Sequence, residues 1–495
     1  MNRLPRRGRV AAPSVAAGVL LALSLPPFGW WPLGPLGAGL LYWRLGGLAL
    51  RTRLWSGWLA GLGCYAIGLA WARAFNWYGA VVLIVVEALF FAAAAALTPP
   101  LRGRAPAFVG ASTLAEALRM TWPFGGLPLG GVFLGQAHGP LVELARLGGP
   151  LLITAGVWAG GVAVATLASW LWARRRRVGG PSLVGVAVVT GGIVALAVAG
   201  TLAPDGGAPV RTLRVAMVQG GGRRGLSKEQ VSPTAVYEAQ VAATYGVTSA
   251  HPPPELVLWP EDVVALDRPL AGSPEAALLG KLAEELGATL VAGVTEPASA
   301  TTFRNEIVAW GPNGHIVGVF EKVHRVPFGE YVPYRSLFSH LADLSGVPTD
   351  AVPGHGTGLM RTPAGPLGLL VSFEIFYAGR SHSSVRAGAE LLAVPTNTSS
   401  YSTSQVPSQE ISAAVVQAVE TGRDLVQAAP TGYSAVVTDR GVVVERGTLG
   451  RRQVLVATVA LRRGMTPYDR WGDLPVLILS AVALVAGWAR QLRHS

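Results

Sequence analysis

Cysteine is almost absent from the chain: among 495 residues there is one, Cys64, and it lies inside an apolar run. No intramolecular disulfide, cysteine-based metal site or accessible cysteine nucleophile can be built from it. Charge is scarce as well, at 14% of residues against 51% hydrophobic, with a positive mean hydropathy of +0.41. Such a chain is too apolar for an ordinary soluble protein and long enough for several modules. The formal net charge of +12 comes with neither a basic recognition helix nor a basic-aromatic groove, so nucleic acid is excluded as the expected partner. The arginines instead sit in short clusters beside apolar runs, where the sidedness of a bilayer selects them.

Apolar segments of bilayer-spanning length, about 17–25 residues, run near 10–26, 31–49, 55–73, 78–97, 105–121, 149–173, 183–203 and 474–490. Arg3, Arg6, Arg7 and Arg9 precede the first, as in a signal peptide, but the spans that follow favour an uncleaved anchor. Further basic residues fall at Arg51 and Arg53, Arg102 and Arg104, Arg174 to Arg177, and Arg490 and Arg493, so that, with the N-terminal arginines, they occupy every second connection plus both ends. The intervening connections, such as 26–31, are aromatic and nearly uncharged, and Trp30, Trp31, Trp77 and Trp122 stand where an interfacial belt places them. The basic clusters mark the cytoplasm, so the long segment before the last span is expected outside. The expected organisation is a transmembrane bundle of about seven helices over 1–205, a separate domain over 210–465 and a C-terminal span over 474–491.

Over 210–465 the texture is that of an α/β domain. Short β-rich runs at 213–218, 256–259, 289–294, 367–371 and 391–394 alternate with helical stretches at 274–286 and 408–421. Residues 305–310 and 315–320 flank the turn Gly311-Pro312-Asn313-Gly314, which predicts a hairpin. Buried strands sandwiched by helices follow from this pattern.

Three places put an ionisable or nucleophilic group at the end of a β-type run: Leu258-Trp259-Pro260-Glu261, the stretch from Glu321-Lys322-Val323-His324 to Phe328-Gly329-Glu330, and Val371-Ser372-Phe373-Glu374-Ile375. Strand ends are where α/β folds mount catalytic groups. These landmarks resemble those of the nitrilase or carbon-nitrogen hydrolase superfamily, which uses a Glu, Lys and Cys triad. Within it, Lys322-Val323-His324 followed by Val326-Pro327-Phe328-Gly329-Glu330-Tyr331-Val332-Pro333, with flanking spans, resembles the apolipoprotein N-acyltransferases; Thr466–Asp473 is similar to that family's closing segment.

The resemblance implies a polytopic transmembrane bundle plus an extracytoplasmic nitrilase-like α-β-β-α sandwich, placed in a bacterial cell membrane. It makes Glu261 the general base, Lys322 the group facing the tetrahedral oxyanion and position 372 the nucleophile, with Glu330 and Glu374 as supporting carboxylates. The implied reaction is ping-pong: a fatty acyl group passes from a phospholipid to the nucleophile and then to the α-amino group of the diacylglyceryl-cysteine that begins an apolipoprotein. It requires no metal and no other cofactor.

The sequence departs from the family at the nucleophile, reading Ser372-Phe373-Glu374 where the family motif reads Cys-Tyr-Glu. A thiol with a pKa of about 8.5 is partly ionised near neutral pH, whereas a serine hydroxyl depends on a base for every attack. No Gly-x-Ser-x-Gly elbow surrounds Ser372. After 391–394 the chain reads Asn397-Thr398-Ser399-Ser400-Tyr401 where the family shows an Asn-Asp-aromatic run, and Gly220–Gly225 is a glycine and arginine loop lacking the expected aromatic residue. That loop is either a phosphate-binding turn or a solvated connection. Two functions stay open: acyl transfer through an oxyester on Ser372, or a catalytically impaired paralogue that binds lipid or lipoprotein and assists an active acyltransferase. A membrane-tethered amidase is disfavoured, having little use for so many spans.

Structural readings stand beside these. Glu261 can cap a following turn; Glu330 can order the Phe328-Gly329 loop; His324 is read as structural; and Glu420 with Arg423 is read as a structural pair at a helix end. Asn397-Thr398-Ser399 matches a glycosylation sequon of little weight. A reporter enzyme that folds only outside the cytoplasm, fused within 210–465, is expected to be active, and activity of a cytosol-only reporter at the same sites would reverse the assigned sidedness.

Overall fold

The computed structural model describes residues 8–74, 76–178, 182–222, 231–340, 343–399 and 404–493. The chain divides into two units, one of residues up to Ala203 together with those from Trp471 onward, the other Pro204–Arg470.

The long elements of the first unit are the helices Gly8–Ser24, Leu33–Leu45, Leu50–Gly68, Trp77–Leu97, Arg104–Arg119, Ala145–Arg176, Leu183–Leu202 and Leu474–Leu492. Among the described residues four are long and apolar enough to cross a membrane: Trp77–Leu97, Val142–Arg176 (taken from the turn that leads into its helix), Leu183–Leu202 and Leu474–Leu492. Leu33–Leu45 and Arg104–Arg119 have only 13 and 16 residues, short of the roughly 20 that a bilayer core needs. The apolar run at 31–49 is longer than its helix because Gly46 is extended and Gly47 is left-handed at φ +69°. Non-helical φ/ψ at Gly148 and Gly149 interrupt the long helix, so the regular span restarts at Pro150, a residue suited to a first helical turn. Close packing rests on small residues: a Cβ at Gly61 would lie 2.6 Å from the Ala88 Cα, so only glycine lets these two helices approach so near. The unit also buries an ionic cluster, with Arg119 2.7 Å from Glu116 and 3.2 Å from Glu87.

In the second unit, the strands in chain order are β1 Arg211–Gln219, β2 Leu256–Leu258, β3 Val264–Ala265, β4 Thr289–Pro297, β5 Thr302–Trp310, β6 Ile316–Glu321 and β7 Asp350–Ala351. They continue with β8 Leu359–Thr362, β9 Gly365–Leu369, β10 Leu391–Pro395, β11 Leu425–Ala428, β12 Ala435–Val437, β13 Val443–Arg446 and β14 Gln453–Leu461. One sheet has the order β14-β1-β2-β4-β5-β6, with β3 beside β4 and β7 beside β5; the other has the order β13-β12-β11-β10-β9-β8. β2 is parallel to β1 and β4, and β10 is parallel to β9 and β11.

The period-two geometry of strands explains why their sequences are apolar almost throughout. On β1, Leu213, Val215 and Met217 join Leu256, Leu258, Ile307, Leu367, Leu391 and Val426 in a core shared by the two sheets. The alternate residues Ala216 and Val218 join Val257, Trp259, Leu290 and Trp310 in a second core. That second core takes in Ala243 of helix Pro233–Thr244 and Leu279, Leu282 and Ala283 of helix Pro274–Leu286. The far side of the second sheet carries Ala378–Arg386 and Val406–Thr421, the latter buried along its length. The result is a mixed-sheet sandwich layered by helices.

Local signals set the element ends. Ser273 Oγ accepts the Ala276 N–H at 3.1 Å, Pro274 opens the helix and left-handed Gly287 closes it, so the expected 274–286 helix has both of its stops written in sequence. The hairpin also forms: β5 and β6 pair antiparallel, and Gly314 turns at φ +77°. Gly293 on β4 is the close approach that matters for the site, because a Cβ there would lie 2.5 Å from the Glu261 Cα and 2.6 Å from the Pro260 oxygen. Gly293→Ala is expected to displace the Glu261 turn and destabilise the unit by about 1–3 kcal/mol, measured as a lowered unfolding midpoint of the full chain in detergent.

Candidate active site

Glu261 follows β2, held in place where Trp259 N–H donates to the Val291 oxygen at 2.8 Å and Gly293 N–H donates to the Pro260 oxygen at 3.1 Å. Lys322 follows β6, and its N–H donates to the Asn305 oxygen across the hairpin at 2.9 Å. Two strands of the same sheet, β2 and β6, therefore deliver a carboxylate and an ammonium that meet. Lys322 Nζ donates to Glu261 Oε1 at 2.8 Å and to Glu330 Oε1 at 2.7 Å. Asn305 Nδ2 donates to the same two oxygens at 2.9 and 3.1 Å, so two donors and two acceptors close a four-membered ring of contacts.

Only 1% of the Lys322 side chain is exposed. Burial by itself lowers an ammonium's pKa, but Glu261 and Glu330 outweigh it and hold Lys322 above the ordinary lysine value, cationic at any working pH. Burial pushes the Glu330 carboxyl up, against the opposing pull of Lys322. Both bonds at Glu261 fall on Oε1, and among the described residues none falls on Oε2. A carboxylate with an uncommitted oxygen can accept a proton, and a fixed ammonium can face a developing oxyanion.

Ser372 stands just beyond β9, at the start of the single turn of 3-10 helix Ser372–Phe376. Its backbone is left-handed at φ +51°, a conformation that costs a non-glycine residue about 1–3 kcal/mol and clusters at functional sites. Val371 and Phe373 are buried, whereas Ser372 is half-exposed. The left-handed residue thus joins a strand to a short 3-10 helix, without flanking glycines.

The structure brings Glu261, Lys322 and Glu330 into direct contact but gives Ser372 no hydrogen bond to them. The link runs through Glu374. Its Oε1 accepts the N–H groups of Val323 and His324, both at 3.0 Å, and its Oε2 accepts the Val371 N–H at 2.9 Å. One buried carboxylate thus ties the residue before Ser372 to the two after Lys322. Arg380 supports it, with Nε 3.4 Å from Glu374 Oε1 and Nη1 donating to the Gly356 oxygen at 3.0 Å.

The structural readings divide. Glu261 spends its bonds on Lys322 and Asn305 rather than on a cap. Glu330 also bonds its own loop, since Oε2 accepts the Val326 N–H at 2.8 Å. His324 stacks on Tyr377 with centroids 4.3 Å apart, and burial lowers its pKa, which keeps it neutral and structural. Glu420 accepts from Ser381 Oγ at 3.0 Å, while Arg423 donates to the carbonyls of Ala389, Thr421 and Gly422, so both serve structure through partners other than the one expected. Thr398 and Ser399 are buried, which disfavours the sequon as a modified surface loop; Ser400 and Tyr401 lie outside the described residues. So do residues 223–225 of the glycine-arginine loop, whose first part is fixed where Gly221 N–H donates to the Pro430 oxygen at 2.8 Å.

Asn305 and Arg380 were missed in the sequence. Asn305 had a signal, a polar residue in an apolar strand, while Arg380 lies eight positions past Ser372 in a short polar helix with nothing to mark it. Replacing Lys322 by Met leaves Glu261 and Glu330 facing each other without a cation. K322M is expected to cost about 3–5 kcal/mol of stability, and the double variant K322M/E261Q to recover part of it, in chemical unfolding of the full chain.

Comparison with known proteins covers both units. The model of the apolipoprotein N-acyltransferase N-terminal domain matches residues 17–159, and the carbon-nitrogen hydrolase model matches residues 214–465. The apolipoprotein N-acyltransferase of Mycolicibacterium smegmatis is 31% identical over 96% of this chain and 83% of its own length. Those of Azotobacter vinelandii and Pseudomonas putida are each 29% identical, over 97% and 96% of this chain and 95% of their own lengths. With a carbon-nitrogen hydrolase domain spanning the Glu261–Lys322 pair and relatives matching nearly end to end, the chain belongs to the apolipoprotein N-acyltransferase family.

Proposed function

We propose that this membrane enzyme transfers a fatty acyl group from a phospholipid to the α-amino group of the diacylglyceryl-cysteine of apolipoproteins, through an acyl-enzyme on Ser372, at a site facing out of the cytoplasm. The observation that carries the reading is the Lys322 ammonium held at 2.8 and 2.7 Å between Glu261 and Glu330, next to the segment that Glu374 ties to Ser372.

In the first half-reaction Glu261 takes the Ser372 proton as Oγ bonds to the ester carbonyl carbon. The carbonyl oxygen becomes an oxyanion facing Lys322, whose charge is already in place and needs no reorganisation. The intermediate collapses by breaking the bond between the acyl carbon and the glyceryl oxygen, and the leaving alkoxide takes the proton back from Glu261 to give a lysophospholipid. In the second half, the lipoprotein amine attacks the oxyester, Glu261 accepts its proton, and that proton returns to Ser372 Oγ as the amide forms. Glu330 and Asn305 keep Glu261 and Lys322 in register, and Glu374 keeps the Ser372 turn against them. A serine hydroxyl is not ionised near neutral pH, so the first half depends on Glu261 more heavily than a thiol would. The complete, hydrogen-bonded Glu261–Lys322–Glu330 cluster supports an enzyme over a binding-only paralogue, which would have no use for it.

Purified full chain incubated with a labelled phospholipid and a diacylated lipopeptide is expected to form a triacylated product. Mass spectrometry is expected to find an acyl ester on the peptide bearing Ser372. Ser372→Ala should abolish both, and Ser372→Cys should speed the first half-reaction; no transfer by either the wild type or S372C would refute the proposal.

A further inference from the structure

One buried acid in the second unit has no part in the chemistry above. Glu410 lies in the first turns of helix Val406–Thr421 and is 1% exposed. Its carboxyl is held by uncharged groups: Thr396 Oγ1 donates to Oε1, and Gln427 Nε2 donates to Oε2 at 3.1 Å. Among the described residues it has no ion-pair partner. Both contacts sit where parallel strands end. Thr396 directly follows β10, and its N–H donates to the Ala428 oxygen at the end of β11; Gln427 lies on β11 and also donates from Nε2 to the Tyr433 oxygen at 2.8 Å. β10 is flanked by β9, whose end leads into Ser372, and the carboxyl ends of parallel strands are where such folds build their sites. The charged groups whose fields reach Glu410 are Glu261 and Lys322.

We propose that Glu410 is a positioning residue for the acyl-transfer site, working as an uncharged acid that ties the ends of β10 and β11 together beside the Glu261–Lys322 pair. A carboxylate so enclosed, with no cation, is costly to ionise. Burial, with a smaller contribution from Glu261, pushes the Glu410 carboxyl up to about 8 against the lowering pull of the Thr396 hydrogen bond and of Lys322. Below that pH the group is neutral and adds no charge to the site. Above it the group becomes an anion within the field of Lys322 and weakens the attraction that Lys322 offers to an oxyanion. Activity is therefore present on the acid side and lost as pH rises through about 8.

This inference rests on the acyl-transfer reading of the site, and the experiment separates the two. Acyl transfer by the full chain in detergent is followed from acid to alkaline pH for the wild type, Glu410→Gln and Glu410→Ala. Glu410→Gln is a permanently uncharged isostere that keeps an acceptor and a donor in place. It is expected to match the wild type at neutral pH and to keep its activity through the alkaline limb on which the wild type fails. Glu410→Ala is expected to lose about tenfold or more at every pH, as for unmade buried hydrogen bonds. Infrared difference spectra across the same range are expected to show a protonated-carboxyl band that titrates at about pH 8 in the wild type and is missing from Glu410→Gln. Absence of transfer by the wild type at every pH overturns the acyl-transfer reading and this inference with it. Transfer by the wild type together with an unchanged alkaline limb in Glu410→Gln, or an infrared band that Glu410→Gln retains, overturns this inference alone.

Discussion

The second unit is organised around a lysine ammonium with almost no water. The chain has only three lysines, and removing an ammonium from water costs several kcal/mol unless opposite charge and hydrogen bonds replace the solvent. Around Lys322 they do: Glu261 arrives from β2, Glu330 from the loop after β6, and Asn305 from β5 braces both carboxylates. Three separate stretches of chain must therefore meet to within hydrogen-bond distance for the sheet edge to be tolerable at all. The requirement that makes the site costly to break also holds it in one geometry, so the electrostatics of folding are those that the proposed acyl chemistry would use.

Glu374 extends this order across the sandwich. Val323 and His324 follow a strand of the first sheet and Val371 follows a strand of the second, and one carboxylate accepts from all three. A backbone N–H gives direction as well as attraction, so the two sheets are registered at the edge where Ser372 turns out of line. The left-handed φ at Ser372 is strain that this bracing sustains. The arrangement is rigid where atoms must be placed and leaves the serine itself half-exposed.

Much of this was legible in the sequence. Apolar runs of strand length that were too uniform to have a wet face announced a sheet covered on both sides, and the caps at Ser273 and Gly287 fixed a helix to the residue. The motifs around Glu261, Lys322 and Glu330 pointed to one site because each follows a β-type run. What escaped has a common physical reason. Asn305, Arg380 and Glu410 matter through partners at least 25, 6 and 14 positions away, and apart from the polarity of Asn305 in an apolar strand nothing local marks them. The left-handed backbone at Ser372 escaped because no neighbouring glycine marks it in the sequence. In the first unit, apolarity marked the helices but not their ends: Gly47 and the Gly148-Gly149 break are set by turns within apolar stretches.

The left-handed turn at Ser372 fixes the backbone, and under the proposed mechanism the reacting atom there is set by a single exchange, oxygen for sulfur. Pro204–Arg470 contains no cysteine at all. A thiolate at that turn would be open to peroxide and would pass in steps to sulfenic and then irreversible sulfinic acid. A hydroxyl has no such ladder to climb, so with Ser372 as the proposed nucleophile the chain would exchange intrinsic nucleophilicity for a reacting group that oxidants cannot poison.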